Sequence, residues 1–279
     1  MAVVALVGEA VASSPSPAMH RAGFKAAGLD WDYVPRPLAK GELEPAWDEL
    51  ARTFRGLNVT NPHKQVAARL ADRLSPAARR CGSVNTVRFD RGSTFGDSTD
   101  GAGFMAALAH LSAGAPPVCA VLGTGGAARA VAASLLLAGS EVRLLGRSEE
   151  AAGQLQRALH GLRPGSLRFW GWGAEQLQAA LRGCRLLVNA TSVGGPGAPH
   201  VSPLPGQVRL APEVAVFDLV YAREPTPLVR LAQAWGCPAQ DGLEMLVEQG
   251  LRSFRVWTGR RAPATVMRQA ARRALGRAA

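Results

Sequence analysis

The sequence predicts an α/β protein of two domains. Three observations carry this. The chain has 279 residues, close to twice the roughly 150 of a typical domain. Short apolar runs alternate with helical stretches along its whole length. One such run, at 118–122, leads through a glycine turn into a helix and then another strand, the start of a doubly wound sheet. A composition of 47% apolar and 19% charged residues suits packed cores and excludes a disordered chain. No apolar run approaches the roughly 18–20 residues of a membrane span, so no membrane partner is expected.

In order along the chain, residues 2–7 form a continuous apolar run and predict a buried strand. With no basic region ahead of it, this run does not read as a signal peptide. Ser14-Pro15-Ser16-Pro17 predicts a helix start, with Ser16 as N-cap, Pro17 at N1 and Gly28 as the stop. Strands follow at 57–60 and 83–89. Between them, Asn61-Pro62 predicts another N-cap and N1, with Val66 and Leu70 facing inward. Asp100 stands ahead of a helix from about 102 to 110, and Gly114-Ala115-Pro116-Pro117 makes a break. Strands at 118–122 and 141–145 flank a helix reaching about residue 138, and two more lie at 186–189 and 214–219. The Gly- and Pro-rich stretch from 194 to 212 predicts a long loop at the rim of a site. A helix over 243–257, with Leu243, Leu246, Val247, Leu251 and Phe254 as its apolar stripe, and another from Pro263 close the chain.

The net charge is +11, almost all of it arginine; the lysines are Lys25, Lys40 and Lys64. Arginines thicken near the end (Arg260, Arg261, Arg268, Arg272, Arg273, Arg277), but no nucleic-acid-binding module accompanies them. A solvated basic surface is expected, drawing small anions and not nucleic acid. Cys81, Cys119, Cys184 and Cys237 are scattered, without C-x-x-C or nearby histidines. This predicts neither disulfides nor a metal site, and reduced thiols in the cytoplasm.

The strongest local signal is Gly123-Thr124-Gly125-Gly126-Ala127-Ala128, a GxGxxA between a strand and a helix. Its first glycine permits the tight turn and its second lets backbone approach a pyrophosphate. Ala128 lets the helix pack on the strand. The helix N-terminus then faces the phosphates. An NAD site wants an acid at the tip of the next strand, yet that tip reads Gly146-Arg147-Ser148. Arg147 and Ser148 offer a guanidinium and a hydroxyl to a 2′-phosphate, with Arg129 as a further candidate, so NADP is the expected cofactor. The competing reading of Arg147 is a solvated loop arginine.

Elsewhere the residues leave alternatives open. Capping accounts for Ser16 but gives Ser14 no task, and the two hydroxyls at a helix N-terminus equally suit a carboxylate cradle. Lys64 falls in the first turn of a helix, where the dipole disfavours a cation; a purely structural lysine gains little there, whereas one that releases a proton is helped. His63 beside it is a rival base, or simply packed or exposed. Asp100 can simply cap its helix, Asn85 is unremarkable at a strand end, and Gln249 is either plain surface or the wall of a cleft.

Taken together, several motifs in order resemble the shikimate dehydrogenase family. They are Ser14-x-Ser16-Pro17, Asn58-Val-Thr60-x-Pro62-His63-Lys64, Val84-Asn85-Thr86 and Thr99-Asp100-Gly101. Further on come Asn189-Ala-Thr-Ser-Val-Gly194, Asp218-Leu-Val-Tyr221, Met245-Leu-Val-x-Gln249-Gly and Trp257-Thr-Gly259. The resemblance implies a substrate domain of residues 1–101 with 243–279, and a Rossmann-type NADP domain of 102–242. The last helices would pack back on the first domain, and the site would lie in a cleft between the two. It implies that Ser14 and Ser16, with Tyr221, hold a substrate carboxylate. Thr60, Asn85, Asp100 and Gln249 would bind ring hydroxyls, with Lys64 and Asp100 as the catalytic pair. NADP would be held at Gly123–Ala128, Arg147 and Ser148, and at Thr191, Leu219 and Gly242. The implied reaction is reversible reduction of 3-dehydroshikimate to shikimate, by a monomer or homodimer. The chain departs from the family's usual pattern at Asn61, Gly146 and Gly195.

Overall fold

A computed structural model of the chain describes residues 1–90, 92–112, 114–163 and 165–278. It divides into two compact units, Met1–Gly103 with Leu246–Ala279, and Phe104–Met245.

The first unit opens with β1 (Ala2–Gly8), α1 (Ser16–Ala26), β2 (Trp31–Pro37), α2 (Leu43–Thr53), β3 (Gly56–Val59) and α3 (Lys64–Leu70). It continues with β4 (Arg73–Leu74), α4 (Pro76–Cys81), β5 (Thr86–Asp90), β6 (Ser93–Asp97) and the first turn of α5 (Asp100–Leu108). Its sheet has the order β2-β1-β3-β5-β6-β4, with β5 antiparallel to both β3 and β6. β1 pairs in parallel with β2 and β3, and its uninterrupted apolar run fits a strand covered on both faces. Ala5, Val7, Leu57, Val59 and Val87 line the core on one side with Trp47, Leu50 and Phe89.

The second unit contains the rest of α5, then β7 (Val118–Leu122), α6 (Gly126–Leu137), β8 (Glu141–Leu145), α7 (Glu149–Leu159) and β9 (Leu167–Phe169). After these come α8 (Ala174–Leu181), β10 (Leu186–Asn189), β11 (Ala215–Asp218), α9 (Pro227–Ala234) and β12 (Ala239–Gln240). The sheet is parallel throughout, in the order β12-β11-β10-β7-β8-β9. The first strand of this unit lies mid-sheet, so the order reverses between β7 and β10. That is the doubly wound arrangement with a switch point where such sheets bind ligands. α10 (Leu243–Thr258) passes from the second unit into the first, and α11 (Ala264–Ala274) packs against α1.

The strands at 118–122, 141–145 and 186–189 fall where the apolar runs place them. β2, β4, β6, β9 and β12 lie outside the predicted set. Ser93–Asp97 and Arg73–Leu74 are short and polar, and Trp31–Pro37 carries two prolines at an edge, so none shows an apolar run. Three predicted helix starts are corrected. Ser16 is already helical, with Pro15 at the N-cap position. α3 begins at Lys64 with His63 ahead of it, and the cis Asn61-Pro62 bond lies outside the helix. α5 begins at Asp100 itself, its first turn closed by the Gly103 N–H on Thr99 O. The predicted strand at 83–89 starts only at Thr86.

The stretch from 194 to 212 contains neither helix nor strand among the described residues, but it is anchored. Leu204, Val208 and Leu210 are buried with Leu187, Val216 and Leu228 in the core of the second unit. All four cysteines are buried and free. Among the described residues no helix is long and apolar enough to cross a membrane.

Candidate active site

Sheet topology gathers the polar residues of the first unit on one edge. Ser14 and Ser16 follow the C-terminal end of β1, and Thr60 and Lys64 that of β3. Because β5 runs antiparallel to β3, Asn85 just before β5 arrives at the same edge. β6 returns antiparallel to β5, so Asp100 follows it there.

At this edge Lys64 Nζ lies 2.5 Å from Asp100 Oδ2, with side-chain exposures of 14% and 6%. Asn85 Nδ2 donates to Asp100 Oδ1 at 2.9 Å, and lies 2.8 Å from Thr99 Oγ1 and 3.0 Å from Gln249 Oε1. Three acceptors share two amide protons, so the group is fully engaged. The Asn85 amide orientation is fixed because its Oδ1 accepts the Thr99 backbone N–H at 2.8 Å. Gln249 is oriented likewise, its Nε2 donating to Leu246 O at 2.7 Å. Lys64, Asp100, Asn85 and Gln249 therefore form one connected cluster. Gly103 allows it: a Cβ there would come within 2.8 Å of the Gln249 backbone N, so only glycine lets α5 approach α10 this closely.

Other candidates are placed separately. The Thr60 N–H bonds Val7 O at 2.8 Å, leaving its half-buried side chain beside Gly8. Ser14 Oγ accepts the Ser16 N–H at 3.2 Å and donates to Ser16 Oγ at 3.1 Å. The capping task thus belongs to Ser14, and Ser16 keeps its own hydroxyl proton for another acceptor. His63 is packed, 1% exposed, with Nε2 2.9 Å from Leu38 O, which removes it as a rival base.

Sequence reasoning assigned no role to a second layer behind this cluster. Asn58, Thr86 and Ser253 are buried and hydrogen-bonded to one another and to Asn85. The available signal was an asparagine inside the apolar run Leu57-Asn58-Val59, and a serine one helical turn beyond Gln249.

In the second unit the glycine turn leaves β7 at the switch point. Gly123 has φ +111°, and a Cβ there would meet Ala190 O at 3.0 Å, so the turn requires glycine. α6 starts at Gly126 with Gly125 as N-cap, without a side-chain cap, and a Cβ on Gly125 would enter open space. Unfilled helical N–H groups beside open space fit a pyrophosphate. Ala127 is half-buried in the first turn and Ala128 is buried against the sheet. Arg147 is exposed beyond β8, whereas Arg129 is buried in α6. Ser148 caps α7 by accepting the Ala151 N–H at 3.1 Å, so its oxygen is occupied and its proton is not.

Thr191, after β10, bonds Asn189 Oδ1 through both N–H (3.1 Å) and Oγ1 (2.6 Å). Asn189 in turn donates to Asp218 Oδ1 at 2.8 Å, and that carboxylate also accepts from Val220 N and Thr226 Oγ1. Burial pushes the Asp218 carboxyl up to about 6, with these hydrogen bonds opposing the rise. Gly242 packs so closely that a Cβ would lie 2.2 Å from Leu219 O, which ties the Leu219 segment to the end of β12. Tyr221 is half-buried in the loop after β11.

A curated shikimate dehydrogenase (NADP(+)) of Thermus thermophilus is 43% identical over 275 residues, covering 98% of each chain. The chain belongs to the shikimate dehydrogenase family. A second shikimate dehydrogenase (NADP(+)), from Synechococcus sp. strain JA-3-3Ab, is also 43% identical, over 98% of this chain and 94% of its own. The Shikimate dehydrogenase substrate binding domain family matches residues 6–87, and the Shikimate 5'-dehydrogenase C-terminal domain family matches 242–272. The crystal structure of a Thermus thermophilus shikimate 5-dehydrogenase in complex with NADP(H) and shikimate superposes with a TM-score of 0.83 at 41% identity. It covers 99% of this chain and 100% of that one. The family's two-domain α/β fold is the fold described above.

Proposed function

We propose that this protein is an NADP-dependent shikimate dehydrogenase, reversibly reducing 3-dehydroshikimate to shikimate in the route to chorismate and the aromatic amino acids. The observation that carries the reading is the largely buried Lys64–Asp100 pair, held by Asn85, which Gln249 faces in turn. A buried ion pair costs desolvation and is weak evidence of stabilisation, so its place on a polar sheet edge favours chemistry. NADPH, when bound, supplies the hydride. Lys64 donates a proton to the carbonyl oxygen in reduction and, as a neutral amine, takes the hydroxyl proton in oxidation. Asp100 orients the ammonium and accepts from a ring hydroxyl. Thr60, Asn85 and Gln249 bind the remaining hydroxyls, and Ser14, Ser16 and Tyr221 the carboxylate.

Gly123, Gly125, Gly126, Ala127 and Ala128 would hold the pyrophosphate of NADP, and Arg147 with Ser148 the 2′-phosphate. Thr191, Leu219 and Gly242 would line the nicotinamide end. The free thiols suit a cytoplasmic enzyme, and its assembly would be a monomer or homodimer. The test is the absorbance of reduced nicotinamide with shikimate or quinate, each tried with NADP and NAD. Rapid reduction of NADP by shikimate is expected. Preference for quinate would make it a quinate enzyme, and no turnover with either would make it a cofactor-binding protein without this activity.

A further inference from the structure

We propose that Tyr33 is a positioning residue for the catalytic pair, acting through Asn58 and Asn85. The proposal deepens the functional reading above and rests on it. Tyr33 is fully buried on β2, and its hydroxyl donates to Asn58 Oδ1 at 2.8 Å. That direction is fixed by chemistry. Asn58 Nδ2 lies 3.0 Å from the Asn85 carbonyl oxygen, which can only accept, so the amide oxygen faces the tyrosine. The second Asn58 amide proton goes to Ser253 Oγ at 3.1 Å, and Ser253 meets Thr86 Oγ1 at 2.7 Å. Thr86 reaches back to Asn85 Oδ1 at 3.3 Å.

Asn85 is thus held twice from behind, through its backbone carbonyl and through its side-chain oxygen. Its two amide protons are shared among Asp100, Gln249 and Thr99 Oγ1. Every donor in the sequence Tyr33, Asn58, Asn85, Asp100 feeds the next acceptor. The tyrosine ring is itself fixed, stacked on His20 with centroids 4.6 Å apart and beside Trp257 at 6.1 Å. Removing the hydroxyl leaves Asn58 Oδ1 buried without that donor. The Asn58 side chain then loses the contact that fixes its amide from behind, so the proton it gives the Asn85 carbonyl is less firmly placed. A displaced Asn85 shifts both the Asp100 carboxylate and the hydroxyl-binding amide, while the nucleotide-binding unit is untouched.

The test is steady-state kinetics of Tyr33→Phe, which keeps the ring and its stacking. The shikimate KM should rise and kcat fall, each by about tenfold, with the NADP KM unchanged. Ser253→Ala, which cuts the second route to Asn85, should shift the same constants in the same directions. A purely structural loss lowers the active fraction, reducing kcat and leaving both KM values alone; that pattern, or an equal rise in both KM values, overturns the proposal. Asn85→Ala separates this from the reading beneath it. If Asn85→Ala leaves the shikimate KM unchanged, the site assignment fails; if it raises that KM and Tyr33→Phe does not, only the positioning role fails.

Discussion

Asn85 donates an amide proton to Asp100 Oδ1 across 2.9 Å, leaving the other carboxylate oxygen to Lys64. One neutral side chain thereby sets the plane of the carboxylate that holds the ammonium. The same amide faces Gln249, so the groups proposed for acid–base work and for hydroxyl binding share a single support. Asn85→Ala strands buried acceptors on Asp100 and Gln249 and the Thr99 N–H. Each orphaned group costs about 1–3 kcal/mol. A lower Tm together with a raised shikimate KM is expected; calorimetry and kinetics on the same preparation check both.

The serine pair separates capping from binding. Ser14 accepts the Ser16 N–H, so Ser14→Ala loses a cap contact worth about 0.5–2 kcal/mol as well as a substrate contact. Ser16→Ala is the cleaner variant. It should raise the shikimate KM by about tenfold or more, the value of a hydrogen bond to a carboxylate, with little change in Tm. An unchanged KM in Ser16→Ala removes this pair from carboxylate binding.

Arg147 stands exposed beyond β8, a strand whose tip carries no acid to take a ribose hydroxyl. Arg147→Ala should raise the NADP KM and affect NAD much less. Equal losses with both cofactors contradict a 2′-phosphate role. Ser148→Ala should cost α7 its cap as well, visible as reduced stability.

The two units respond to acid in opposite senses. His20 is fully buried among aromatic rings with both ring nitrogens unpartnered, and burial lowers its pKa to about 3. The unfolded chain therefore binds the extra proton between about pH 6.5 and 3. The neutral imidazole's contribution to stability is whole above 6.5 and is lost as pH falls, at up to about 1.4 kcal/mol per pH unit. Asp218 behaves in reverse. Its raised carboxyl holds a proton in the folded state between about pH 4 and 6, so its contribution is whole below 4 and is lost as pH rises through 6. His20→Phe should flatten the acid-side loss of stability, and Asp218→Asn the opposite slope, in urea titrations at pH 4, 5, 6 and 7. Variants with slopes matching the parent remove these groups from the pH dependence.

Much of the second unit was legible because a parallel sheet covered on both faces leaves continuous apolar runs, as at Val118–Leu122 and Leu186–Asn189. The glycine turn was equally plain, since Gly123 must adopt a positive φ against Ala190. The first unit was harder to read. β4 and β6 are short and polar, the helix starts at Ser16 and Lys64 depend on turns that Ser-Pro and Asn-Pro spacing misassigned, and Asp100 opens its helix instead of standing ahead of it. Of the candidate site, individual residues could be named from motifs, but Asn85–Gln249 is a contact across 164 positions. No local periodicity encodes it. The support beneath, Tyr33–Asn58–Ser253, consists of buried polar residues whose importance appears only once their partners are seen.

The most direct test of the account is the turnover of folded Lys64→Ala with saturating shikimate and NADP. General acid–base catalysis is worth about 10²–10⁴-fold, so kcat should fall by that factor while the NADP KM stays the same. Adding Asp100→Asn to that variant should cost far less than the product of the two single losses, because the residues act as one unit. A folded Lys64→Ala enzyme with near-normal kcat would contradict the central claim.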